Sequence, residues 1–582
     1  MRRTGPQVVL LTVVLLCAAG ALRAGEPGVE GEMKLYHPVT ITFEGPATSE
    51  TATPNPFTDY RLDVTFRHGE HAVVAPGYYA ADGDAANTSA VEGNKWRVHF
   101  VPDRVGRWEF QAAFRQGGGV AVAEDPLAGE PTGFDGASGG FEIGPTDKTG
   151  ADFRGKGLLQ YVGQRYLRFS NGQYFIKGGA DAPENMLGYY EFDATPPTHQ
   201  FAPHAGDFRD GDSTWAGGKG RHIIGAMNYL ASKGMNSVYL ITMNVKGDGK
   251  DTWPWVSPND FTRFDVSKLA QWEVVFSHMD RLGLMIHLLT QETENDQLLD
   301  KGDLGPNRRL YYRELVARFG HHLGLIWNLG EENTNTTGQL KAYAEYLDRL
   351  DPYDHVIVVH TFGGLNSQRR VYEPLLGYEH LGGASLQDSM PGVVDHVSHW
   401  LEGSTRAGRP WAVFYDEQNP VRVGVRSDSK DPAHDNVRKH GLWGVLMAGA
   451  AGVEWFMTPD TRLEDWRTRD RMWDQTRYAL EFFQQHLPFE RMAPGDALAG
   501  EGQKCLAAAG DVYAVYLPKG GEGRLDLTGQ QGSFEVRWYN PREGGALQEG
   551  PVKQVTGGQW VSLGPPPAQV DQDWAVLVRR LK

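Results

Sequence analysis

Between residues 174 and 485 short apolar segments alternate with amphipathic helical ones, and this alternation restricts the fold more than any other feature of the chain. Strand candidates fall at 174–177, 237–243, 284–289, 325–329, 355–360, 384–386, 411–414 and 452–456. Helical periodicity fills the intervals at 222–233, 265–282, 308–319 and 339–350, and again near 392–405, 432–447 and 463–486. Gly234 and Gly283 stand where two of these helices should stop. Eight strands alternating with helices over about 310 residues predict a (β/α)8 barrel, and no glycine-rich dinucleotide fingerprint follows the first strand to favour an open doubly wound sheet.

The flanks have a different rhythm. From residue 33 to 145, period-two segments such as Tyr60-Arg61-Leu62-Asp63-Val64-Thr65-Phe66 and Trp108-Glu109-Phe110-Gln111-Ala112-Ala113-Phe114 alternate with Gly, Pro and Asp, which predicts a β-sandwich. The same rhythm returns after about residue 495, as in Val512-Tyr513-Ala514-Val515-Tyr516-Leu517, and predicts a second small β-sandwich to residue 582. The chain thus reads as a multidomain protein with a sandwich at 33–145, a TIM barrel at 155–490 and a sandwich at 495–582.

Residues 1–24 carry Arg2 and Arg3, an apolar run from Val8 to Ala19 and small residues at Ala19, Ala21 and Ala24, the pattern of a secretory signal peptide cleaved after Ala21 or Ala24. Leu16 before Cys17 departs from a lipoprotein signal. Removal of this leader leaves Cys505 as the only cysteine, so the mature chain should have no internal disulfide and no membrane association, and should be secreted or periplasmic. With 57 Lys and Arg against 73 Asp and Glu, a net charge of −16 argues against a nucleic-acid partner and for a neutral or cationic substrate.

Barrels place reactive groups at the carboxyl ends of their strands. Two such ends are rich in carboxylates: Trp327-Asn328-Leu329-Gly330-Glu331-Glu332-Asn333 after the fourth strand, and Trp411-Ala412-Val413-Phe414-Tyr415-Asp416-Glu417-Gln418-Asn419 at the seventh. One carboxylate from each could flank a sugar, one protonating the leaving oxygen and the other attacking the anomeric carbon. Asp181, Asn244, Gln291, Glu292, His360 and Gln387 occupy equivalent positions after other strands, where they could read substrate hydroxyls. His287, inside the third strand, reads as a satisfied core histidine, and Trp253-Pro254-Trp255 as a sugar platform or as loop packing.

The strand-four segment resembles the Trp-x-Leu-x-Asn-Glu signature of clan A glycoside hydrolases and is similar to the Trp-x-Leu-Gly-Gly-Asp pattern of the apiosidase-like barrels. The run from Arg438 to Gly452 is similar to their last helix–strand unit. Residues 33–145 resemble the immunoglobulin-like domain of unknown function that precedes such barrels. Residues 505–578, with Arg537-Trp538-Tyr539-Asn540-Pro541-Arg542 and Asp573-Trp574, resemble the module named "putative collagen-binding domain".

The resemblance implies a secreted retaining glycosidase acting on a carbohydrate without cofactor or metal, with Glu332 as acid/base and Glu417 as nucleophile. Glu331 remains the alternative acid and Asp416 the alternative nucleophile. Glu331 stands where the wider clan has an Asn that contacts the sugar; Asn333 and Trp455, the latter at a position of sugar stacking, complete the implied binding set. A non-catalytic carbohydrate- or matrix-binding protein and a polysaccharide lyase are the rival readings.

Overall fold

The computed structural model describes residues 26–420, 422–459 and 462–581. The leader peptide expected at 1–24 lies outside them.

Eight parallel strands close into a barrel: β1 (Lys177–Ala180), β2 (Ser237–Ile241), β3 (Met285–Leu289), β4 (Leu325–Asn328), β5 (Val356–Thr361), β6 (Gly383–Ser389), β7 (Ala412–Asn419) and β8 (Gly452–Trp455). Pairing of Lys177 with Gly452 and of Ala180 with Trp455 joins β1 to β8. Around them run α1 (Arg221–Ser232), α2 (Val266–Leu282), α3 (Pro306–Phe319), α4 (Thr337–Leu350), α5 (Leu365–Tyr372), α6 (Val393–Arg406), a π-helix (Val437–Gly444) and α7 (Asp470–His486). Local chemistry sets several of the ends. Asp265 caps α2 by accepting from the Lys268 amide at 2.9 Å, and Gly283 ends it in the left-handed region at φ +74°. Thr336 and Gln339 form a capping box on α4.

Several elements differ from the sequence expectation, including α5, which lies where no helix is expected, and β6, which runs past 386 to Ser389. The first strand lies at Lys177–Ala180 rather than 174–177: its Gly179 lets β1 approach β2, since a Cβ there would sit 2.1 Å from the Ser237 carbonyl oxygen. β7 extends through Asp416 and Glu417 to Asn419, so both acids belong to the strand itself. The segment expected as one helix near 432–447 is mainly a π-helix, a form that often marks functional sites.

The first sandwich has antiparallel sheets of four and five strands, with Phe66 stacked on Phe100 at 4.0 Å and Phe43 on Phe134 at 4.5 Å in its core. Arg313 of α3 reaches across to Asp63 at 2.7 Å, tying this domain to the barrel. The last domain packs a six-stranded sheet and a two-stranded one around a core that includes Trp538 and Trp574. Cys505 is free and buried in that core, and burial pushes its thiol up to about 12. The joint with the barrel is both apolar and ionic: Trp443 stacks on Tyr516 at 5.2 Å, and Arg438 of the π-helix donates twice to Asp573 at 2.9 Å.

Inside the barrel lies an ionic layer. Lys177 Nζ sits 2.6 Å from Asp416 and 2.9 Å from Glu454, with His287 Nδ1 2.7 Å from Glu454, and all four side chains are fully buried. Asp416 is thereby committed to Lys177 and to Ser385, whose hydroxyl donates to it at 2.7 Å.

Candidate active site

Above this layer, Asn328 at the end of β4 connects the ionic floor to the mouth. Its amide nitrogen donates to His287 Nε2 at 3.0 Å, and its Oδ1 accepts from the backbone amides of Gly330 and His360. The chain then turns through Gly330 and through Glu332, which adopts φ +40°, a left-handed conformation uncommon outside glycine. The turn places Glu331 and Glu332 on a cavity of about 640 Å³ at the carboxyl ends of the strands.

Seven carboxylates line that cavity (Glu184, Asp248, Glu292, Glu294, Glu331, Glu332 and Glu417), together with Arg422, Phe456, Thr458 and Pro459. Gln387 of β6 joins the two arms of the site, because its Nε2 donates to Glu332 Oε1 at 2.9 Å and to Glu417 Oε1 at 2.5 Å. His360 faces the same pair. Its Nδ1 accepts from the Glu332 backbone amide at 3.0 Å, which leaves the proton on Nε2, 3.4 Å from Glu417 Oε2. Burial, reinforced by the positive charge of Lys177, pushes His360 down to about 3 and keeps it neutral.

Oxygens of Glu184, Glu331 and Glu417 lie within 4.8 Å of one another. Burial, followed by the charges of Glu184 and Glu417, raises Glu331 well above the usual carboxylate range, and its Oε2 has no hydrogen-bond partner among the described residues. Burial, then the Asp181 and Glu417 charges, raises Glu184 in the same way. Asp181 lies fully buried just past β1, its carboxyl raised first by burial and then by Glu417. Glu332 is more open to the cavity, and burial raises it against the opposing hydrogen bond from Gln387.

The structure thus brings together Asp181, Glu292, Glu331, Glu332, His360, Gln387 and Glu417 of the expected set. It places the other four elsewhere. Asn244 accepts from the Asp251 and Thr252 amides and donates to the Asp248 carbonyl, so its side chain is used in folding its own loop. Gln291 is held by Arg308, Asp296 and Asn335. Asn333 braces the turn through Leu329 and Asn335. Trp455 is fully buried, donates to Thr476 on α7 at 2.8 Å and does not line the cavity; the neighbouring Phe456 does. Trp255 packs its loop against Phe261 and Tyr311.

Of the cavity lining, Asp248, Arg422, Phe456, Thr458 and Pro459 are missing from the sequence expectation, as are Glu184 and Tyr239. Glu184 follows β1 closely, and placing that strand at 177–180 would have exposed it as a strand-end acid. Tyr239 points into the barrel from β2, 6.2 Å from the His360 ring, and its hydroxyl has no partner among the described residues. Burial and then the Glu331 charge raise that phenol well above its ordinary value.

Residues 32–115 match a family described as a domain of unknown function (DUF5060), and residues 495–579 match one described as "Putative collagen-binding domain of a collagenase". No curated protein matches the chain. Among solved structures, one titled "putative glycoside hydrolase" from Bacteroides vulgatus ATCC 8482 is 15% identical with a TM-score of 0.64, over 94% of this chain and 99% of that one. The chain shares its fold. A glycoside hydrolase family 5 protein from the same organism is 17% identical over 74% of this chain and 95% of its own, with a TM-score of 0.53. A structure titled "Glycoside hydrolase" is 14% identical over 74% and 99%, also with a TM-score of 0.53. The shared architecture is a parallel eight-stranded barrel with β-rich domains on either side. Among the described residues, no helix is long and apolar enough to cross a membrane.

Proposed function

We propose that the protein is an exported glycoside hydrolase that cleaves a poly- or oligosaccharide with retention of anomeric configuration. The observation that carries this reading is the pair of carboxylates from β4 and β7 that share one amide nitrogen of Gln387. Two carboxyls brought that close suit the separation of about 5–5.5 Å in retaining enzymes better than the about 6.5–9.5 Å of inverting ones. The titles of the structures with the same fold agree with it.

Glu417 attacks the anomeric carbon while Glu332 protonates the departing oxygen, so the glycosidic C–O bond breaks as the glycosyl ester forms. Water then attacks the same carbon, gives its proton to Glu332 and releases Glu417. Gln387 donates an N–H to Glu417, and the neutral His360 ring lies beside it with Nε2 3.4 Å from Oε2, which suits a carboxylate that must stay ionised. No step calls for a cofactor or metal.

Among the described lining residues Arg422 is the one base beside seven acids, and even with Glu184, Glu292 and Glu331 raised toward their neutral forms this balance favours a neutral or cationic sugar and disfavours a uronate. It weighs equally against a lyase, which needs positive groups to neutralise the uronate. The last domain serves as a cap on the barrel through Arg438 and Trp443, and the leader directs export.

Glu331 is the competing proton donor, since its oxygen lies within 4.8 Å of Glu417 and burial raises its carboxyl well above the usual range, toward the protonated form. Kinetics on glycosides with good and poor leaving groups separate the two: loss of the true acid slows poor leaving groups far more. The whole reading is tested by screening the protein on neutral glycans and following the first-formed anomer by NMR. Retained product supports it; inverted product rejects the mechanism. Binding without cleavage across the panel establishes the non-catalytic alternative.

A further inference from the structure

Far from the candidate active site, a second titratable cluster lies where the first sandwich covers the barrel. Glu273 projects from α2, and His321 and His322 occupy the turn between α3 and β4. Glu273 Oε1 is 3.3 Å from His321 Nε2, and Oε2 is 3.1 Å from His322 Nε2. One donor atom from each of the three residues fits within a 4.8 Å sphere of mutual distances. Both histidines are buried.

We propose that Glu273, His321 and His322 form a zinc site that joins α2 to the turn feeding β4. Tetrahedral zinc with bonds of about 2.0–2.2 Å to nitrogen and oxygen holds neighbouring ligand atoms about 3.3 Å apart, and each imidazole nitrogen lies near that distance from one oxygen of Glu273, His321 from Oε1 and His322 from Oε2. The outer groups also fit. Asp280 Oδ2 accepts the His322 Nδ1–H hydrogen bond at 2.9 Å, the carboxylate–histidine arrangement seen behind metal ligands, and a zinc ion would replace the proton that Nε2 otherwise donates to Glu273 at 3.1 Å.

Nδ1 of His321 is buried without a hydrogen-bond partner among the described residues, so no protein hydrogen bond there fixes the ring. Two carboxylates and two neutral imidazoles would balance a divalent ion. A cavity of about 130 Å³, lined by Glu273 with Tyr78 and His99 of the sandwich, offers room for a solvent ligand.

Neighbouring groups leave the position to the ion. The His99 ring lies tilted against His321 at 4.3 Å, but its own nitrogens are engaged by Tyr78 at 2.6 Å and Thr40 at 2.9 Å. Arg318, also at this cavity, turns to Glu314 at 2.9 Å and to the Tyr79 carbonyl. The competing state is a metal-free ion pair in which His322 carries a second proton between Glu273 and Asp280.

The test uses the full chain stripped with a chelator and titrated with Co²⁺ and then Zn²⁺. One equivalent of Co²⁺ with the ligand-field absorption of a tetrahedral site, displaced by Zn²⁺, is the expected result. Glu273→Gln and His322→Gln should abolish it, Asp280→Asn should weaken it about 10–100-fold, and Glu184→Gln, in the separate carboxylate cluster, should leave it unchanged. Circular dichroism establishes that each variant is folded; where the ligand variants do not fold, the milder Asp280→Asn decides. Absence of stoichiometric uptake, uptake indifferent to Asp280→Asn, or uptake removed by Glu184→Gln overturns the site.

Discussion

Glu332 and Glu417 accept hydrogen bonds from a single nitrogen, Nε2 of Gln387, at 2.9 and 2.5 Å. A hydrogen bond to a charged group contributes about 1.5–3 kcal/mol, equivalent to about 10–150-fold in rate. Gln387→Met should therefore lower kcat/KM by about that factor. It should also move the alkaline limb of the pH profile upward, because Gln387 is the group that draws Glu332 down against burial. A pH series of kcat/KM checks both effects, and an unmoved limb would show that Glu332 is not the titrating acid.

Glu417→Gln should abolish turnover, and Glu332→Gln should cut it by about 10²–10⁴-fold for poor leaving groups, the usual contribution of general acid catalysis. Circular dichroism should be unchanged in both. Full activity in either variant would remove that residue from the mechanism.

Stability should respond to pH through Glu292. Burial pushes this carboxyl up to about 9, whereas in the unfolded chain it titrates near the ordinary value of about 4.3. The folded form therefore binds the extra proton between those limits, and the contribution to stability is full below about 4.3 and lost as pH rises through about 9. Glu292→Gln should leave the thermal midpoint unchanged at pH 4 and raise it at pH 8, with the Asp248 amide still able to donate to the glutamine oxygen. Equal shifts at both pH values would refute the assignment.

At the joint with the last domain, Asp573 accepts from Arg438 twice and from the Tyr516 hydroxyl at 2.9 Å. Removing one partner of a buried ion pair costs about 3–5 kcal/mol. Asp573→Asn should loosen the last domain first, seen as a lower and broader melting transition and faster proteolysis near residue 495. An unchanged melt would assign the adhesion to the Trp443–Tyr516 stack.

The barrel and its flanking sheets were legible because apolar runs, period changes and helix stops are local signals. From sequence β1 is set too early because Lys177-Gly178-Gly179-Ala180 has no strand propensity of its own; Gly179 is explained by the backbone of β2 pressing against it, and Gly178 by Leu480 and Thr476 of α7. From sequence β7 ends early because its polar end, Glu417 to Asn419, is strand by pairing with β6 rather than by composition, with Asp416 left over at a register shift. At the site, carboxylates at strand ends were found from position alone. Asn244, Gln291 and Asn333 misled for a physical reason: an amide after a strand looks the same whether it meets solvent or satisfies the buried backbone and side chains of a long loop.

Lys177 has a consequence for how this protein can change over time. With Asp416 and Glu454 on either side and all three side chains fully buried, its replacement alone would strand two negative groups, and replacement of either acid alone would unbalance the others. Descendants of this sequence should therefore keep the trio or exchange it as a set, so that compensated double and triple replacements are tolerated where each single one is lethal to folding.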